Sequence, residues 1–343
     1  MSDAVRFGLV GYGFGGRVFH APLLTSAANV EFAGVMTNSP ERREQVLADH
    51  PGVATFGSLA EMAAAGVEAV AISTPAATHA ELAEEALGRG LATVVDKPFT
   101  MDLDSAKSVV ATAREGGVLL SVYQNRRYDS DFRTVQRLID DGQLGAIRRF
   151  ESRFERWAPD CKPGAAGGGT LLDFGSHLVD QALVLNGPAT RVYAEMRGAG
   201  DLDDDMFIAL HHVGGVESHL WGSWRQAAPG PRFRVTGTTG TYIVDGINSM
   251  DGQEAVLKSG RSPAKLGERW GVEPEHAWGR LYRGATGATI ESSRGRWDLY
   301  YPAFAAAVRG EGPVPVDPAD TLRAMAVLDA ARVSARTGTS VTL

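Results

Sequence analysis

The stretch that decides the fold is VRFGLV at residues 5–10, followed directly by GYGFGG at residues 11–16. The apolar run predicts a buried β-strand, and residues 14–26 predict a helix. Between them stands the pattern G-x-G-x-x-G. Its first glycine permits a tight turn, its second lets a pyrophosphate approach the backbone, and its third lets strand and helix pack closely. A plain turn would need only one glycine, so we predict dinucleotide binding by Gly11, Tyr12, Gly13, Phe14, Gly15 and Gly16.

The alternation of apolar run and helix-like segment continues to about residue 122. The further apolar runs are residues 30–36, 67–73, 91–95 and 118–122, and the helix-like segments are residues 40–50, 78–89 and 105–115. Strands and helices in this rhythm are typical of a parallel sheet covered on both faces. We therefore predict that residues 1–123 form a doubly wound α/β Rossmann domain.

The pattern changes in residues 124–343. After a helix at residues 129–140, the predicted strands are 147–157, 191–197, 206–212, 217–224, 233–237 and 242–244. Consecutive strands with short Gly- and Asp-rich turns indicate an antiparallel sheet, and hence an α+β domain. Residues 251–296 are glycine-rich and are predicted to be mostly loop with short elements. Two helices, 299–308 and 318–336, close the chain, and the last can pack back on the first domain.

The composition excludes several classes of partner. The 343 residues include 34 Lys and Arg against 41 Asp and Glu, which gives a formal net charge of −7. Because so acidic a chain does not attract phosphate backbones, we predict no nucleic-acid partner. The only cysteine, Cys161, excludes an internal disulfide and a cysteine-based metal cluster. No apolar run is long enough to span a membrane, and we expect a cytoplasmic protein.

The end of the second strand bears on the choice of cofactor. An acid usually stands there to bind the ribose 2′-hydroxyl of NAD, but here the residues are Thr37, Asn38 and Ser39. Arg42 and Arg43 follow in the first turn of the next helix. Small polar groups beside a guanidinium suit a 2′-phosphate, so we predict NADP in preference to NAD. A solvent-facing arginine pair is the alternative.

Three further segments could carry chemistry. Ser73-Thr74-Pro75 and Asp96-Lys97-Pro98 each follow a predicted strand, at the edge where a parallel sheet binds ligands. A lysine partly shielded at that edge suits proton handling, although a lone lysine after a strand is usually a surface residue. If Asp173 opens a helix, His177 and Asp180 lie on the same stripe, and the carboxylate can orient the imidazole for acid–base catalysis. Alternatively, Asp173 is an N-cap and His177 is packed against the sheet.

Two other clusters do not predict a metal site. His211 and His212 adjoin on a predicted strand and therefore point to opposite faces. The acidic run that includes Asp201, Asp203, Asp204 and Asp205 could hold a cation, but a solvated loop is the favoured interpretation. We predict no metal ion.

In order along the chain, these motifs resemble the Gfo/Idh/MocA oxidoreductases, named for glucose–fructose oxidoreductase and inositol dehydrogenase. The resemblance covers almost the whole chain. It rests on the glycine loop, on Ser73-Thr74-Pro75 with His79, on Asp96-Lys97-Pro98, on residues 124–127 and on residues 169–180. It implies a Rossmann domain followed by an α+β domain whose large, mostly antiparallel open sheet forms a homodimer or homotetramer.

The resemblance also implies roles for individual residues. Lys97 would bind the reacting hydroxyl, His177 would act as acid and base, and Asp173 would orient the substrate or the histidine. Asn125 and Arg126 would line the nicotinamide and substrate pocket. Asp96 departs from the family, in which glutamate is more usual; the charge is kept and the reach is shorter. The residues implied to contact cofactor beyond the glycine loop and the second strand are Ser73, Thr74, Pro75, His79, Asp96, Lys97 and Asn125.

Three functions are consistent with these observations. The leading hypothesis is an NADP- or NAD-dependent oxidoreductase that acts on a secondary alcohol or ketone of a sugar, cyclitol or similar polyol. A nucleotide-sensing regulatory protein would keep the glycine loop but would not need Lys97, Asp173 and His177 together. An enzyme that processes glycosides with tightly held NAD is the third; the missing acid near residues 37–39 counts against it.

Overall fold

The computed structural model describes residues 4–160, 168–198, 202–245 and 252–343. The chain divides into two compact units, each built from three segments. The first comprises Met1–Gln124, Glu254–Glu268 and Trp297–Thr321, and the second comprises Asn125–Gln253, Arg269–Arg296 and Leu322–Leu343. Beyond the predicted boundary at residue 123, the chain thus returns twice to the first unit. The predictions made for Cys161 and Asp201 lie outside the described residues.

The first unit contains a six-stranded parallel sheet. Its strands are β1 Val5–Val10, β2 Val30–Met36, β3 Ala54–Phe56, β4 Ala69–Ile72, β5 Ala92–Val95 and β6 Leu120–Val122. They lie in the order β3-β2-β1-β4-β5-β6, with every neighbouring pair parallel. This order reverses between β1 and β4, and ligands of such sheets bind at the carboxyl ends of the strands beside that switch point. The predicted doubly wound α/β fold is confirmed.

Five helices connect these strands: α1 Ala21–Ser26, α2 Pro40–Asp49, α3 Leu59–Ala64, α4 His79–Gly88 and α5 Leu103–Gly116. Side-chain oxygens of Ser39, Ser58 and Asp102 accept the amides three residues ahead and begin α2, α3 and α5. Neither β3 nor α3 was predicted. Because β3 has only three residues and lies half exposed at the sheet edge, it shows no apolar run.

The second unit is built on a nine-stranded sheet. Its first strands are β7 Ile147–Glu155, β8 Ala189–Arg197, β9 Asp205–His212, β10 Glu217–Ser223, β11 Phe233–Gly237 and β12 Thr241–Val244. Helices α6 Ser130–Asp140 and α7 Ser176–Asn186 precede β7 and β8. The α7 helix packs on β7 and β10, and Phe132 of α6 meets Phe233 of β11 with ring centroids 6.3 Å apart. This arrangement confirms the predicted α+β unit.

Residues 252–296 are more ordered than predicted. They contain α8 Gly252–Lys258, α9 Pro263–Leu266, β13 Gly279–Arg283 and β14 Thr286–Ile290. The two strands form a hairpin that extends the large sheet at one edge. The predicted short elements are present, but they occupy more of the segment than predicted, and the hairpin was not predicted. Its glycines and half-exposed side chains form no apolar run from which a strand could be recognised.

The chain closes with α10 Tyr300–Val308, α11 Pro318–Thr337 and the short strand β15 Val341–Thr342. Both helices lie within one residue of their predicted bounds. The sheet order is β14-β13-β12-β11-β7-β10-β9-β8-β15, and all its pairs are antiparallel except β7 with β10. Within the described ranges, no helix is both long enough and apolar enough to cross a membrane.

Candidate active site

The glycine loop of the first unit closes tightly on itself and on the end of β4. Gly11 has a φ of +95°, and a Cβ added there would lie 2.7 Å from the carbonyl oxygen of Ser73. A Cβ at Gly16 would lie 2.2 Å from the carbonyl oxygen of Gly11. Both contacts are with backbone, which cannot move aside as a flexible side chain can. The turn itself therefore requires glycine at positions 11 and 16.

Gly13 stands in open space instead. An added Cβ would meet only Nη2 of Arg42, at 3.9 Å. The predicted helix at 14–26 begins as a five-residue π-helical turn, Gly16–His20, and continues as α1. Backbone that is open to approach, ahead of a helical N-terminus, is the arrangement that accepts a pyrophosphate. The loop fits the dinucleotide predicted from the sequence.

Two aromatic residues of the loop differ in their placement. The Tyr12 side chain is buried, and its hydroxyl donates to Oδ2 of Asp49 at 2.9 Å, so that it ties the loop to α2. Burial first, and then the Asp49 carboxylate, raise the pKa of this phenol. Phe14 is 64% exposed and meets Phe19 edge-on, with centroids 5.4 Å apart. Tyr12 thus anchors the loop from inside, whereas Phe14 presents its ring outward.

The end of β2 holds the residues predicted to select the cofactor. Ser39 caps α2 by accepting the Arg42 amide at 3.3 Å, and Thr37 is buried. The Arg43 Nε donates to the Thr37 carbonyl oxygen at 3.1 Å, which fixes that guanidinium against the strand end. Asn38 and Arg42 are exposed. Of the two arginines, only Arg42 therefore has a guanidinium that is near Gly13 and is also exposed to solvent.

Asp96 joins two strand ends at the carboxyl edge of the sheet. Its Oδ2 accepts the Ser73 hydroxyl at 3.1 Å, and its Oδ1 accepts the Lys97 backbone amide at 2.8 Å. A Cβ at Gly15 would lie 2.7 Å from Ser73 Oγ and 3.4 Å from Asp96 Oδ2. The structure thus brings Gly15, Ser73 and Asp96 together, with Lys97 next in the chain.

His79 lies between the same two strand ends. Its Nδ1 is 2.8 Å from the carbonyl oxygen of Pro98, and its Nε2 is 2.9 Å from that of Thr74. The ring is buried, and its two hydrogen bonds connect the loop after β4 with the loop after β5. Pro75 is exposed beside them. Contact of His79 with a cofactor stays a prediction.

His20 was not predicted as a site residue. It ends the π-helical turn after the glycine loop, is 1% exposed, and places Nε2 3.0 Å from Asp96 Oδ2. A histidine four residues beyond the last glycine of the motif was the available signal. It is uninformative by itself because the partner carboxylate is 76 residues away.

In the second unit, Asp173 and His177 lie on consecutive helical segments. Asp173 belongs to a π-helical turn, Leu171–Gly175, and His177 to α7. The wider turn interrupts the single α-helical stripe that was predicted for positions 173, 177 and 180. The N-cap of the turn is Thr170, so the alternative interpretation of Asp173 as an N-cap is wrong. His177 is buried, whereas Asp173 is partly exposed.

The Phe154 ring organises the surroundings of His177. The His177 ring lies 5.9 Å from it, centroid to centroid, and the guanidinium carbons of Arg126 and Arg232 lie 4.9 and 4.1 Å from its centroid. Cations over an aromatic face are attracted by its quadrupole. Arg126 and His177, both predicted from the family resemblance, therefore share one aromatic ring. Asn125 is buried in the turn that leads to Arg126.

Asp180 has a structural partner. The Arg127 guanidinium donates to both of its carboxylate oxygens, at 2.8 Å from Nε and 2.6 Å from Nη2. A bidentate pair of this kind fixes both side chains. Asp180 thereby links α7 to the short turn Asn125–Tyr128.

The acidic run before β9 is bonded rather than simply solvated, which corrects that expectation. Asp203 Oδ2 accepts the Leu171 amide at 2.7 Å, and burial raises the pKa of Asp203 to about 6. Asp204 accepts Nε of Arg225 at 2.7 Å. His212 is buried and His211 faces Glu217 on the other side of the sheet, as predicted. No group of three or more His, Cys, Asp or Glu side chains in the described ranges could hold a metal ion.

Comparison with known proteins places both units in one family. Residues 5–124 match the family described as "Oxidoreductase family, NAD-binding Rossmann fold", and residues 132–243 match the "GFO/IDH/MocA C-terminal domain". The chain is 32% identical to the scyllo-inositol 2-dehydrogenase (NADP(+)) IolW of Bacillus subtilis over 97% of this chain and 94% of that protein. It is 29% identical to the inositol 2-dehydrogenase of Rhizobium meliloti, over 70% of this chain and 76% of that one.

A solved structure agrees over the full length. The putative oxidoreductase yvaA of Bacillus subtilis superposes with a TM-score of 0.92 at 31% identity, covering 100% of this chain and 99% of that one. The glycine loop has the geometry that the dinucleotide requires, and the match covers both units in order. The chain therefore belongs to the Gfo/Idh/MocA family and is an NADP- or NAD-dependent oxidoreductase.

Proposed function

We propose that this oxidoreductase interconverts a secondary alcohol and its ketone in a sugar, cyclitol or similar polyol, with NADP(H) as the preferred cofactor. The observation that carries the proposal is the place of Lys97. It follows β5 at the carboxyl edge of the sheet, and the preceding Asp96 bonds both the Lys97 amide and Ser73, against which Gly15 lies. The inositol dehydrogenases among the relatives support the choice of polyol.

Each residue has a distinct task in this proposal. The Lys97 ammonium donates a hydrogen bond to the reacting oxygen and stabilises the negative charge that develops on it. A His177 imidazole nitrogen accepts the hydroxyl proton during oxidation and returns it to the carbonyl oxygen during reduction. Asp173 orients the substrate or His177, and Asn125 and Arg126 line the pocket. The bound nicotinamide supplies the hydride acceptor for oxidation and the hydride donor for reduction.

The experiment is an absorbance assay of a polyol panel with both cofactors. It contains scyllo-inositol, myo-inositol, several aldoses and the corresponding ketones. Lys97→Ala should lower kcat on the order of a thousandfold and change the Kd for NADPH less than about threefold, because the lysine acts on the reacting oxygen. Lys107→Ala is the matched control, since Lys107 is an exposed lysine paired with Asp104 at 3.1 Å. Unchanged turnover in Lys97→Ala removes this residue from the mechanism.

The preference for NADP rests on Arg42, whose guanidinium stands over Gly13. A guanidinium pairs with a 2′-phosphate much more strongly than with a 2′-hydroxyl, because the phosphate is charged and accepts two hydrogen bonds. Arg42→Ala should therefore weaken NADPH binding about 10- to 100-fold while changing NADH binding less than about threefold. Arg43→Ala is the control: it removes the bond to the Thr37 carbonyl oxygen and should affect both cofactors alike. Equal losses for both cofactors in Arg42→Ala contradict the phosphate assignment.

A homodimer or homotetramer in the cytoplasm completes the proposal. Side chains of β9 and β10 alternate between buried and partly exposed. On the partly exposed face, Phe207 lies 5.3 Å from Trp221, and the Arg153 guanidinium covers that indole at 3.8 Å. An aromatic and arginine-bearing sheet face is typical of subunit interfaces. Sedimentation velocity of the full chain measures the number of subunits directly.

A further inference from the structure

A buried histidine connects the candidate active-site edge to a distant helix of the first unit. His20 stands between Tyr301 of α10 and Asp96 after β5. Its Nδ1 makes a short hydrogen bond with the Tyr301 hydroxyl, and its Nε2 lies 3.0 Å from Asp96 Oδ2. The second contact is electrostatic and not a well-aligned hydrogen bond. One ring thus bridges two elements that lie far apart in sequence.

The bonding rules fix which nitrogen carries a hydrogen. An ionised carboxylate only accepts hydrogen bonds, so Nε2 bears the hydrogen that faces Asp96. The Tyr301 hydroxyl can either donate or accept, so Nδ1 is satisfied in both protonation states of the ring. Both contacts therefore exist in only one orientation of the His20 side chain. In that orientation the positively polarised Nε2 side of the ring is next to Oδ2 of Asp96.

Aromatic packing prevents the ring from turning. The Tyr123 ring lies 4.4 Å from the His20 ring, centroid to centroid, and Tyr123 is stacked with Tyr301 at 5.8 Å. His20, Tyr123 and Tyr301 are each at most 2% exposed. Electrostatic contacts are stronger where water is excluded, and a packed ring loses no orientational freedom when it makes them.

Asp96 connects His20 to the backbone of Lys97. The Asp96 side chain is 18% exposed, and its other oxygen accepts the Lys97 amide at 2.8 Å. Burial by itself opposes ionisation, but His20, Lys97 and His79 outweigh it and lower the pKa of Asp96 to about 2. The carboxylate is therefore charged throughout the working range. Its orientation, and not its protonation, is what His20 can control.

We propose that His20 is a positioning residue that holds the Asp96 carboxylate in the orientation that places Lys97 at the reacting oxygen. The inference rests on the proposed function of Lys97. His20 touches neither substrate nor cofactor in this role. It acts through Asp96, and Tyr301 acts through His20.

Two variants separate the two ring nitrogens. In His20→Gln, the side-chain amide nitrogen can replace Nε2 and keep the contact with Asp96. In His20→Asn, the shorter side chain can replace Nδ1 and loses that contact. Because a displacement of about 1 Å can cost a hundredfold in rate, we expect His20→Asn to lower kcat about 10- to 100-fold. His20→Gln should recover most of that loss, and neither should change the Kd for NADPH more than about threefold.

A second measurement follows Lys97 without any substrate. The sequence contains five lysines, so reductive methylation with ¹³C-formaldehyde gives few dimethyl-lysine signals, and Lys97→Arg assigns the one from Lys97. The signal should shift in His20→Asn and lie close to its wild-type position in His20→Gln. If His20→Asn does not fold, Tyr301→Phe removes the Nδ1 contact and should move the same signal in the same direction.

The outcomes distinguish the inference from the function on which it rests. Unchanged turnover in Lys97→Ala contradicts the proposed function, and the spectra then decide whether His20 controls the position of Lys97. Equal effects of His20→Asn and His20→Gln, in rate and in spectrum, overturn the inference. A similar fall in melting temperature for both, with no change in kcat, overturns it as well and leaves His20 a packing residue.

Discussion

The two units hold their candidate residues in place by different means. In the first, Gly11, Ser73 and Asp96 each follow a strand, and the parallel sheet brings those strand ends side by side. In the second, Arg126, His177 and Arg232 surround Phe154 through side-chain contacts between residues up to 106 positions apart. Strand ends are encoded by local patterns, whereas a cluster of side chains depends on the whole fold. The first kind of site is therefore visible in local sequence patterns, whereas the contacts of the second are not.

The buried charges of the second unit make the contrast sharper. Arg232 is 1% exposed, and its guanidinium carbon lies 4.1 Å from the Phe154 centroid. It donates to Gln181 Oε1 at 2.7 Å and lies 3.6 Å from Asp131 Oδ2, which is also buried. Burying a charge is costly unless partners compensate. Each member of this cluster therefore depends on the others, whereas each glycine of the loop depends on the backbone next to it.

The largest effect should come from the glycine loop, in which substitutions at two positions should act differently. Gly16→Ala places Cβ 2.2 Å from the Gly11 carbonyl oxygen, so it should destabilise the first unit by about 4 kcal/mol or more. Gly13→Ala meets no backbone, so it should keep the melting temperature and lose dinucleotide binding. Differential scanning calorimetry and NADPH titration measure the two effects.

The pair of variants tests whether glycine at each position serves the fold or the ligand. If Gly13→Ala lowers the melting temperature as much as Gly16→Ala, the turn itself needs both glycines. If Gly13→Ala binds NADPH as the wild type does, the pyrophosphate does not approach the backbone there.

The next effect concerns the buried cluster. Arg232→Met removes the guanidinium that lies 3.6 Å from the buried Asp131 carboxylate, and it should cost about 3–5 kcal/mol of unfolding free energy. Arg234→Met is the matched control, because Arg234 is half exposed and its pair with Glu151 at 3.2 Å should contribute less than about 1 kcal/mol. Urea unfolding followed by tryptophan fluorescence reports on the second unit, which contains five of the six tryptophans.

Coupling between the two charges can be measured with a double variant. Arg232→Met with Asp131→Asn should cost less than the sum of the single changes, because the double variant removes both charges of the pair. Strict additivity would mean that the two side chains do not stabilise each other, and the comparison between the two units would lose its basis.

The features that could be predicted from the sequence are those formed by local patterns, and the features that could not are those that depend on contacts between distant residues. The parallel strands other than β3, the glycine loop and the lysine after β5 all follow from apolar runs and the residues that end them. His20 was missed because its partner is a carboxylate 76 residues away. The π-helical turn at Leu171–Gly175 was missed because Asp203 holds its first amides from a different loop. The hairpin β13–β14 was missed because edge strands need no apolar run.

The smallest effect, and the most specific to pH, concerns Glu273 of the second unit. The side chain is buried, and its Oε1 accepts the Ser130 hydroxyl at 2.9 Å. Burial, with Asp131 and Asp129 nearby, raises the pKa of Glu273 from 4.5 to about 7. The folded protein then holds a proton that the unfolded chain releases. The free energy of unfolding should therefore fall as the pH rises from about 4.5 to 7, by up to about 3 kcal/mol.

Glu273→Gln isolates this contribution, because the amide oxygen still accepts the Ser130 hydroxyl and carries no charge. The variant should match the wild type near pH 4.5 and exceed its stability by about 1–3 kcal/mol at pH 8. Glu275→Gln, an exposed change two residues away, should leave the slope between pH 5 and 8 unaltered. If Glu273→Gln lowers stability equally at both pH values, the side chain is held by its hydrogen bond and not penalised for its charge. The burial of the Glu273 charge would then not measurably lower the free energy of unfolding, in contrast to the loss expected when the Arg232 pair is broken.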